Sequence, residues 1–141
     1  MTDLSKRPTK TLGDRRRLFS RLLCELVIWI EENLPVRVAL DEVTVHSPRA
    51  ARLGVQRVQV RDAVHKQGSF HHQGLAADLL VYPDLDGDGQ MDDYLADGSH
   101  PLWRRIAEKW ESMHELCVSG LRFRDANHCS FGEGSKTGPL P

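Results

Sequence analysis

The stretch "SFHHQGLAAD" at residues 69–78 places two adjacent histidines shortly before an aspartate that lies within an apolar run, "LAADLLVY". Burying an isolated carboxylate is so unfavourable that the group becomes neutral, finds a partner or binds a metal. The run predicts a strand, in which Ala76 shares a face with Asp78 and leaves space beside the carboxylate. Gly74 permits a close turn just before that strand, so a histidine on the turn can approach Asp78. Imidazole nitrogen and carboxylate oxygen are both zinc ligands, and a catalytic zinc takes about three protein ligands and keeps one open position.

A third ligand is expected from the segment "DANHCSF" near the end of the chain. His128 starts a short apolar run that predicts a strand, so its side chain can point inward beside His71 and Asp78. Asp125 precedes it across a predicted turn and would lie near the metal without binding it. A carboxylate at that place can accept a proton from water whose pKa the metal has lowered. These residue types and spacings therefore predict a hydrolytic metal centre.

The same residues match a known signature. The SxHxxGxAxD motif of the M15 family of zinc peptidases resembles one stretch of this chain, Ser69-x-His71-x-x-Gly74-x-Ala76-x-Asp78. The downstream DxxH element of that family resembles Asp125-x-x-His128, and the resemblance extends over residues 36–132. The family includes D-Ala-D-Ala dipeptidases and carboxypeptidases, and phage endolysins that cut the L-alanyl-D-glutamate bond of peptidoglycan.

The resemblance implies a fold, a cofactor and an activity. The fold would be that of hedgehog domains and DD-peptidases, with zinc bound by His71, Asp78 and His128. Asp125 would be the catalytic base, and Ser69 would orient the turn. The first expected activity is hydrolysis of the L-alanyl-D-glutamate bond of the stem peptide. The alternatives are a D-Ala-D-Ala carboxypeptidase or dipeptidase, or a non-catalytic zinc-containing binding module of the same fold.

One upstream segment departs from the family pattern. Family members usually show R-[ST]-x-x-x-Q, whose arginine helps to stabilise the oxyanion, whereas this chain has the stretch "HSPRAA" at 46–51. Histidine replaces arginine and alanine replaces glutamine. We assign the oxyanion role to His46, with Arg49 or Arg52 as alternatives. The assignment matters because the loss of one such donor costs a factor of about 10²–10³ in rate.

An acidic loop follows the predicted zinc-ligand strand. The stretch "DLDGDGQMDDY" matches positions of a calcium loop and predicts a Ca²⁺ site with the ligands Asp84, Asp86, Asp88, Gln90 and Asp92. Position 12 is Leu95, so the usual bidentate glutamate is missing unless Asp93 or Asp97 substitutes for it. A solvated acidic turn is the alternative. Bound calcium would order a loop next to the metal centre, in a regulatory or structural role.

The helices and strands that must hold these residues are predicted from the spacing of apolar residues and from residues that cap or end an element. Asp14 is expected to cap a helix that runs to about Asn33, and a second helix is predicted across 101–117. Strands are predicted in 36–46, in 75–82 and on either side of a turn in "LRFRDANHCSF". Residues 47–68 fit either a helix or a strand. The fold class is therefore α+β, a small antiparallel sheet with two flanking helices.

Composition indicates an ordinary globular protein. The 141 residues, 40% hydrophobic and 28% charged, predict one domain over 1–141, with 1–13 as a flexible arm. A net charge of -1 gives no general attraction to nucleic acid, and the basic arm lacks interleaved aromatic residues. The apolar stretch "LFSRLLCELVIWI" is too short and too charged to span a membrane. The odd number of cysteines favours reduced thiols over a disulfide framework.

Size and the lack of a signal peptide or a separate wall-binding domain favour a monomeric phage endolysin within the family that the chain resembles. Such an enzyme waits in the cytoplasm of the infected bacterial cell and acts on the cell wall after release by a holin. Its partner would be the peptidoglycan stem peptide. Neither nucleic acid nor stable membrane insertion is expected.

Overall fold

The computed structural model describes residues 3–41, 70–71 and 73–141. Two helices pack against one four-stranded antiparallel sheet, which confirms the α+β class expected from the sequence. The elements in chain order are a 3₁₀ helix (Leu4–Lys6), α1 (Leu12–Asn33), β1 (Val36–Leu40), β2 (Ala76–Pro83), α2 (Pro101–Met113), β3 (Cys117–Ser119), a second 3₁₀ helix (Gly120–Phe123) and β4 (His128–Phe131).

Helix α1 starts three residues earlier than predicted, because its N-cap is Thr11 and not Asp14. The Thr11 hydroxyl accepts a hydrogen bond from the Asp14 amide at 3.0 Å, and the Asp14 carboxylate accepts one from the Thr11 amide at 3.3 Å. This reciprocal pair is a capping box, so Asp14 is the third helical residue and not the cap. The helix buries one apolar face in the core, made of Leu18, Phe19, Leu22, Leu23, Leu26 and Ile30.

The sheet has the strand order β1-β2-β4-β3, so β2 and β4 are its central pair. Ala77, Leu79 and Val81 of β2 belong to the hydrophobic core together with α1. Because side chains alternate along a strand, Asp78 lies on the opposite face of the sheet. Asp78 pairs in register with His128 of β4, which places both side chains on that second face.

Two predicted elements differ from the structure after residue 113. Helix α2 ends at Met113, and His114 is its C-cap, whereas the apolar periodicity predicted a helix to 117. Cys117 instead pairs with Phe131 in the sheet. Residues 121–123, predicted as a strand, form part of a 3₁₀ helix. Pairing of β3 with β4 is therefore favoured over continuation of the helix beyond Met113.

Two polar contacts fix α2 to the strands beside the site. The indole N–H of the buried Trp110 lies 3.2 Å from the carbonyl oxygen of Val118 and 3.1 Å from that of Ser130. Arg122 and Glu111 form an ion pair with a 2.7 Å Nη2–Oε1 distance, and their side chains are only 14% and 9% exposed. This pair attaches the second 3₁₀ helix to α2. The elements that carry His128 therefore have a rigid support.

The described residues contain neither a disulfide bond nor a membrane-spanning helix. Cys117 and Cys129 are buried, Cys24 is exposed, and all three are free thiols, as the sequence predicted. No helix in the described part of the chain is long and apolar enough to cross a membrane.

Candidate metal centre

Three side chains from separate segments converge on the second face of the sheet. The Nε2 atom of His71 lies 3.1 Å from Nδ1 of His128, and Oδ1 of Asp78 lies 3.4 Å and 3.3 Å from these two nitrogens. Both histidines are buried, and the Asp78 side chain is only 17% exposed. The structure thus brings together the three residues that the sequence predicted as metal ligands.

The arrangement fits a tetrahedral zinc ion. Nitrogen and oxygen ligands at about 2.0–2.1 Å from a tetrahedral metal lie about 3.3–3.4 Å from one another. The two separations from Asp78 match this value, and the 3.1 Å between the two histidine nitrogens is slightly shorter. The Oδ1 atom of Asp78 is buried and has no hydrogen-bond partner among the described residues. A buried carboxylate oxygen without such a partner is costly, and a cation among the three atoms would remove that cost. Two imidazoles and one carboxylate leave one tetrahedral position for a water or a substrate.

A turn before β2 carries His71. The Gly74 amide donates to the carbonyl oxygen of His71 at 3.0 Å, and Gly74 adopts a φ of 71°, which a residue with a side chain rarely takes. The Leu75 amide closes the turn by donating to the carbonyl oxygen of Phe70 at 2.8 Å. Arg16 of α1 donates from Nε to the carbonyl oxygen of Gln73 at 2.7 Å. Helix α1 thereby helps to hold the turn that carries His71, although Arg16 and Gln73 are 57 residues apart in the sequence.

A second compact turn carries Asp125 and His128. The Asp125 amide donates to the carbonyl oxygen of Gly120 at 2.8 Å, and the His128 amide donates to that of Asp125 at 3.0 Å. A Cβ atom at Gly120 would collide with the Asp125 carbonyl oxygen and would lie 2.6 Å from Cβ of His128. Glycine at 120 is therefore required for the turn to close against His128.

Asp125 lies beside the three ligand atoms without belonging to them. Its Oδ2 is 3.7 Å from Nδ1 of His128, and its side chain is 52% exposed. Desolvation raises the pKa of Asp125; the nearby His128 charge lowers it, and the Asp78 carboxylate raises it further. A carboxylate with a raised pKa is suited to accept and return a proton, which agrees with the predicted role of a base.

Neighbouring opposite charges shift the pKa values of Asp78 and His128. Burial alone would raise the pKa of Asp78, but the imidazoles of His128 and His71 hold it well below its usual range. Burial alone would lower the pKa of His128, but the carboxylates of Asp78 and Glu133 raise it to about 9. A metal ion must therefore displace a proton from His128 at neutral pH.

Glu133 is a site residue that the sequence motifs did not indicate. Its Oε2 lies 2.6 Å from Nε2 of His128, the ring nitrogen that points away from Asp78. The hydrogen bond with His128 lowers the pKa of Glu133. The only signal in the sequence is the position of Glu133 between two glycines directly after a strand, and that pattern does not specify a partner.

A cleft of about 330 Å³ lies next to the predicted base. Its lining combines aromatic, cationic and amide side chains, among them Tyr94, Trp103, Arg124, Asp125 and Asn127. Arg124 is exposed and has a left-handed backbone with a φ of 62°. The cleft offers space for a peptide next to Asp125, with a cation in its wall.

The acidic loop forms a second carboxylate cluster. Oxygen atoms of Asp84, Asp86 and Asp93 lie within 4.8 Å of one another, whereas Asp88 and Asp92 are not part of this group. Asp93 accepts hydrogen bonds from the amides of Leu85 and Asp86 at 2.6 Å and 3.1 Å.

The structure explains why position 12 of the calcium pattern is a leucine and not a glutamate. Leu95 is buried in the hydrophobic core, and its amide donates to the carbonyl oxygen of Val81 at 2.9 Å. The residue is therefore needed for packing. Asp93, one of the two substitutes that the sequence analysis allowed for, lies in the carboxylate cluster, and its role as a calcium ligand stays a prediction.

Two predicted site residues, His46 and Ser69, lie outside the described residues, as do Arg49 and Arg52. Their assigned roles stay predictions. No protein-family model, curated protein or solved structure gives a significant match to this chain. The functional assignment therefore depends on the residues of the site and on the motif resemblance.

Proposed function

We propose that the protein is a zinc-dependent peptidase of the M15 type that hydrolyses the L-alanyl-D-glutamate bond of peptidoglycan stem peptides. The observation that carries the metal part of the proposal is the group of His71, Asp78 and His128, with ligand atoms 3.1–3.4 Å apart. Support for a peptidase comes from Asp125, whose carboxylate lies beside this group. The choice of a cell-wall substrate rests on the SxHxxGxAxD and DxxH motifs.

Zinc held by these three residues would polarise the scissile carbonyl group and lower the pKa of a nearby water molecule. Asp125 accepts a proton from the attacking water and delivers it to the leaving amine nitrogen. The water oxygen forms the new bond to carbon while the C–N bond breaks, and the second water proton also ends on the amine nitrogen, so the products are a carboxylate and an ammonium group. The predicted oxyanion donor in this step is His46.

The cleft beside Asp125 is the proposed binding place of the peptide. Stem peptides of this class carry free carboxylates, and Arg124 in the cleft wall provides a cation that can pair with one of them. This cleft is open to solvent, so it can accommodate a branched substrate. In this proposal the enzyme acts as a monomer on the cell wall after holin-type release from the cytoplasm.

Digestion of purified peptidoglycan tests the proposal. The zinc-loaded protein, the EDTA-treated protein and the Asp125→Asn variant are each incubated with it, and the fragments are identified by mass spectrometry. We expect new L-Ala carboxyl ends and D-Glu amino ends with the zinc-loaded protein alone. Release of terminal D-Ala would replace the proposed bond with that of a carboxypeptidase or dipeptidase. Intact peptidoglycan with zinc bound would identify a non-catalytic binding module.

Calcium in the acidic loop stays a prediction, now centred on Asp84, Asp86 and Asp93. Three clustered carboxylates repel one another, and a divalent cation with oxygen ligands would neutralise that repulsion. The loop begins directly after β2, so its ordering would act on the strand that carries Asp78.

A further inference from the structure

The two ring nitrogens of His128 contact different groups on opposite sides of the imidazole. Nδ1 faces the ligand atoms of Asp78 and His71, whereas Nε2 lies 2.6 Å from Oε2 of Glu133. The His128 side chain is only 6% exposed and that of Glu133 is 31% exposed, so water competes weakly for this contact. The short distance is typical of a charge-assisted hydrogen bond.

The backbone after β4 is shaped to present Glu133. The residues on either side of it, Gly132 and Gly134, have φ values of 89° and 73°. The Gly132 amide donates to the carbonyl oxygen of Leu116 at 2.6 Å, which fixes the start of this bend. Because the two glycines allow a conformation that other residues rarely adopt, the chain can turn Glu133 back toward the first residue of the strand.

The ring of His128 also has a steric support. The ring of Phe123 stands edge-on to it, with centroids 5.5 Å apart and an interplanar angle of 66°. This contact limits rotation of the imidazole, and the bond to Glu133 selects one orientation of the ring.

We propose that Glu133 is a positioning residue of the metal centre. By accepting a hydrogen bond from the Nε2–H group, it holds His128 in the tautomer whose Nδ1 lone pair faces the metal, and it increases the basicity of that nitrogen. The inference rests on the proposed zinc site. Carboxylates that accept a hydrogen bond from a metal-binding histidine contribute a factor of about 10–100 to metal affinity.

The rate of zinc loss tests this role independently of catalysis. Zinc-loaded wild type, Glu133→Ala and Glu133→Gln are mixed with excess of a chromophoric chelator, and zinc transfer is followed by absorbance. Glu108→Gln is the matched control, because Glu108 is an exposed residue of α2 whose partner is Arg104. We expect transfer about 10–100 times faster in Glu133→Ala. The Glu133→Gln variant should lie between it and the wild type, because its amide oxygen can still accept a hydrogen bond from the Nε2–H group.

Cobalt substitution provides the second readout. The visible d–d bands of the Co²⁺ protein respond to ligand orientation, so Glu133→Gln should shift them while Glu108→Gln leaves them unchanged. Wild-type zinc transfer rates and cobalt bands in both Glu133 variants would overturn the inference while leaving the zinc site intact. A wild type that retains no zinc would overturn the proposed function, and this inference with it.

Discussion

Asp78 and His128 lie directly opposite each other on the central strands β2 and β4, with Oδ1 and Nδ1 3.3 Å apart. Strand pairing alone therefore places two of the three candidate ligands side by side, and the turn at Gly74 adds His71. Because the two strands are held in register by the core on the other face, the fold itself positions these side chains. Such preorganisation is what a metal site on rigid elements requires.

The carboxylate of Asp125 is expected to be needed for catalysis and not for zinc binding. Asp125→Asn keeps the size and the turn but removes the proton acceptor, so kcat should fall by a factor of about 10²–10⁴. Zinc content, measured by elemental analysis, should stay at the wild-type level. Asp41→Asn, a change at an exposed residue at the end of β1, is the control and should keep full activity. Full activity in Asp125→Asn would contradict the assigned base.

The stability of the metal-free protein should decrease as the pH rises from 6.5 to 8.5. Burial opposes the charge of His128, but Asp78 and Glu133 raise its pKa from the usual 6.5 to about 9. A folded-state pKa above the unfolded-state value stabilises the protein fully below pH 6.5, and the contribution is lost toward pH 9. Burial raises the pKa of the Cys117 and Cys129 thiols, so they do not contribute in this interval.

Zinc should reverse this pH dependence. The metal needs the deprotonated nitrogen of His128, so the stabilisation by zinc increases with pH over the same interval. Thermal unfolding at several pH values, with and without zinc, measures both slopes. His128→Gln should lack both. A metal-free melting temperature that does not change with pH would contradict the charge arrangement.

Gly120→Ala is expected to destabilise the fold at the turn that carries the site. The added Cβ would meet the Asp125 carbonyl oxygen and the Cβ of His128, and neither can rotate away. Overpacking of this kind costs about 1–3 kcal/mol, which exceeds the gain of about 0.4–1 kcal/mol from a less flexible unfolded chain. Gly98→Ala is the matched control, because its Cβ would lie at an ordinary 3.6 Å from Cβ of Ala126. Equal melting temperatures for the two variants would be inconsistent with the described turn.

Calcium should raise the melting temperature of the zinc-loaded protein through Asp84, Asp86 and Asp93. Two variants separate this ligand set from the one predicted from the sequence. Asp93→Asn should abolish the shift, whereas Asp92→Asn should keep it, because Asp92 is exposed and outside the cluster. Both are measured by thermal unfolding after EDTA treatment, zinc restoration and calcium addition. No shift in the wild type would contradict calcium binding.

Arg124 is expected to affect substrate binding more than turnover. Arg124→Asn removes the cation from the cleft and keeps a residue type that tolerates a φ of 62°. KM for a stem peptide should rise several-fold with kcat nearly unchanged. Lys6→Asn removes the same charge from a residue outside the cleft lining and serves as the control. An unchanged KM in Arg124→Asn would exclude this cleft as the place of the anionic group.

The three candidate metal ligands were predictable because each lies in a local pattern. The alternation around Asp78 fixes its face on β2, and the three-residue interval places Asp125 before His128. The roles of Glu133 and Asp93 depend on how the chain folds back after β4 and across the acidic loop. How the chain folds back at these two places depends on tertiary contacts, and residue spacing in the sequence does not predict such contacts. The end of α2 at Met113 was missed for the same reason, because pairing of β3 with β4 overrides helical periodicity.

X-ray absorption at the zinc edge of the zinc-loaded protein tests the central claim most directly. The account predicts one zinc per chain with about four nitrogen or oxygen ligands at about 2.0–2.1 Å, and outer-shell scattering from two imidazoles. Loss of one imidazole in His71→Ala and in His128→Ala would identify the ligands. Sulfur at about 2.3 Å would indicate a cysteine site instead. Sulfur scattering, or a protein that takes up no zinc, would contradict the metal centre formed by His71, Asp78 and His128.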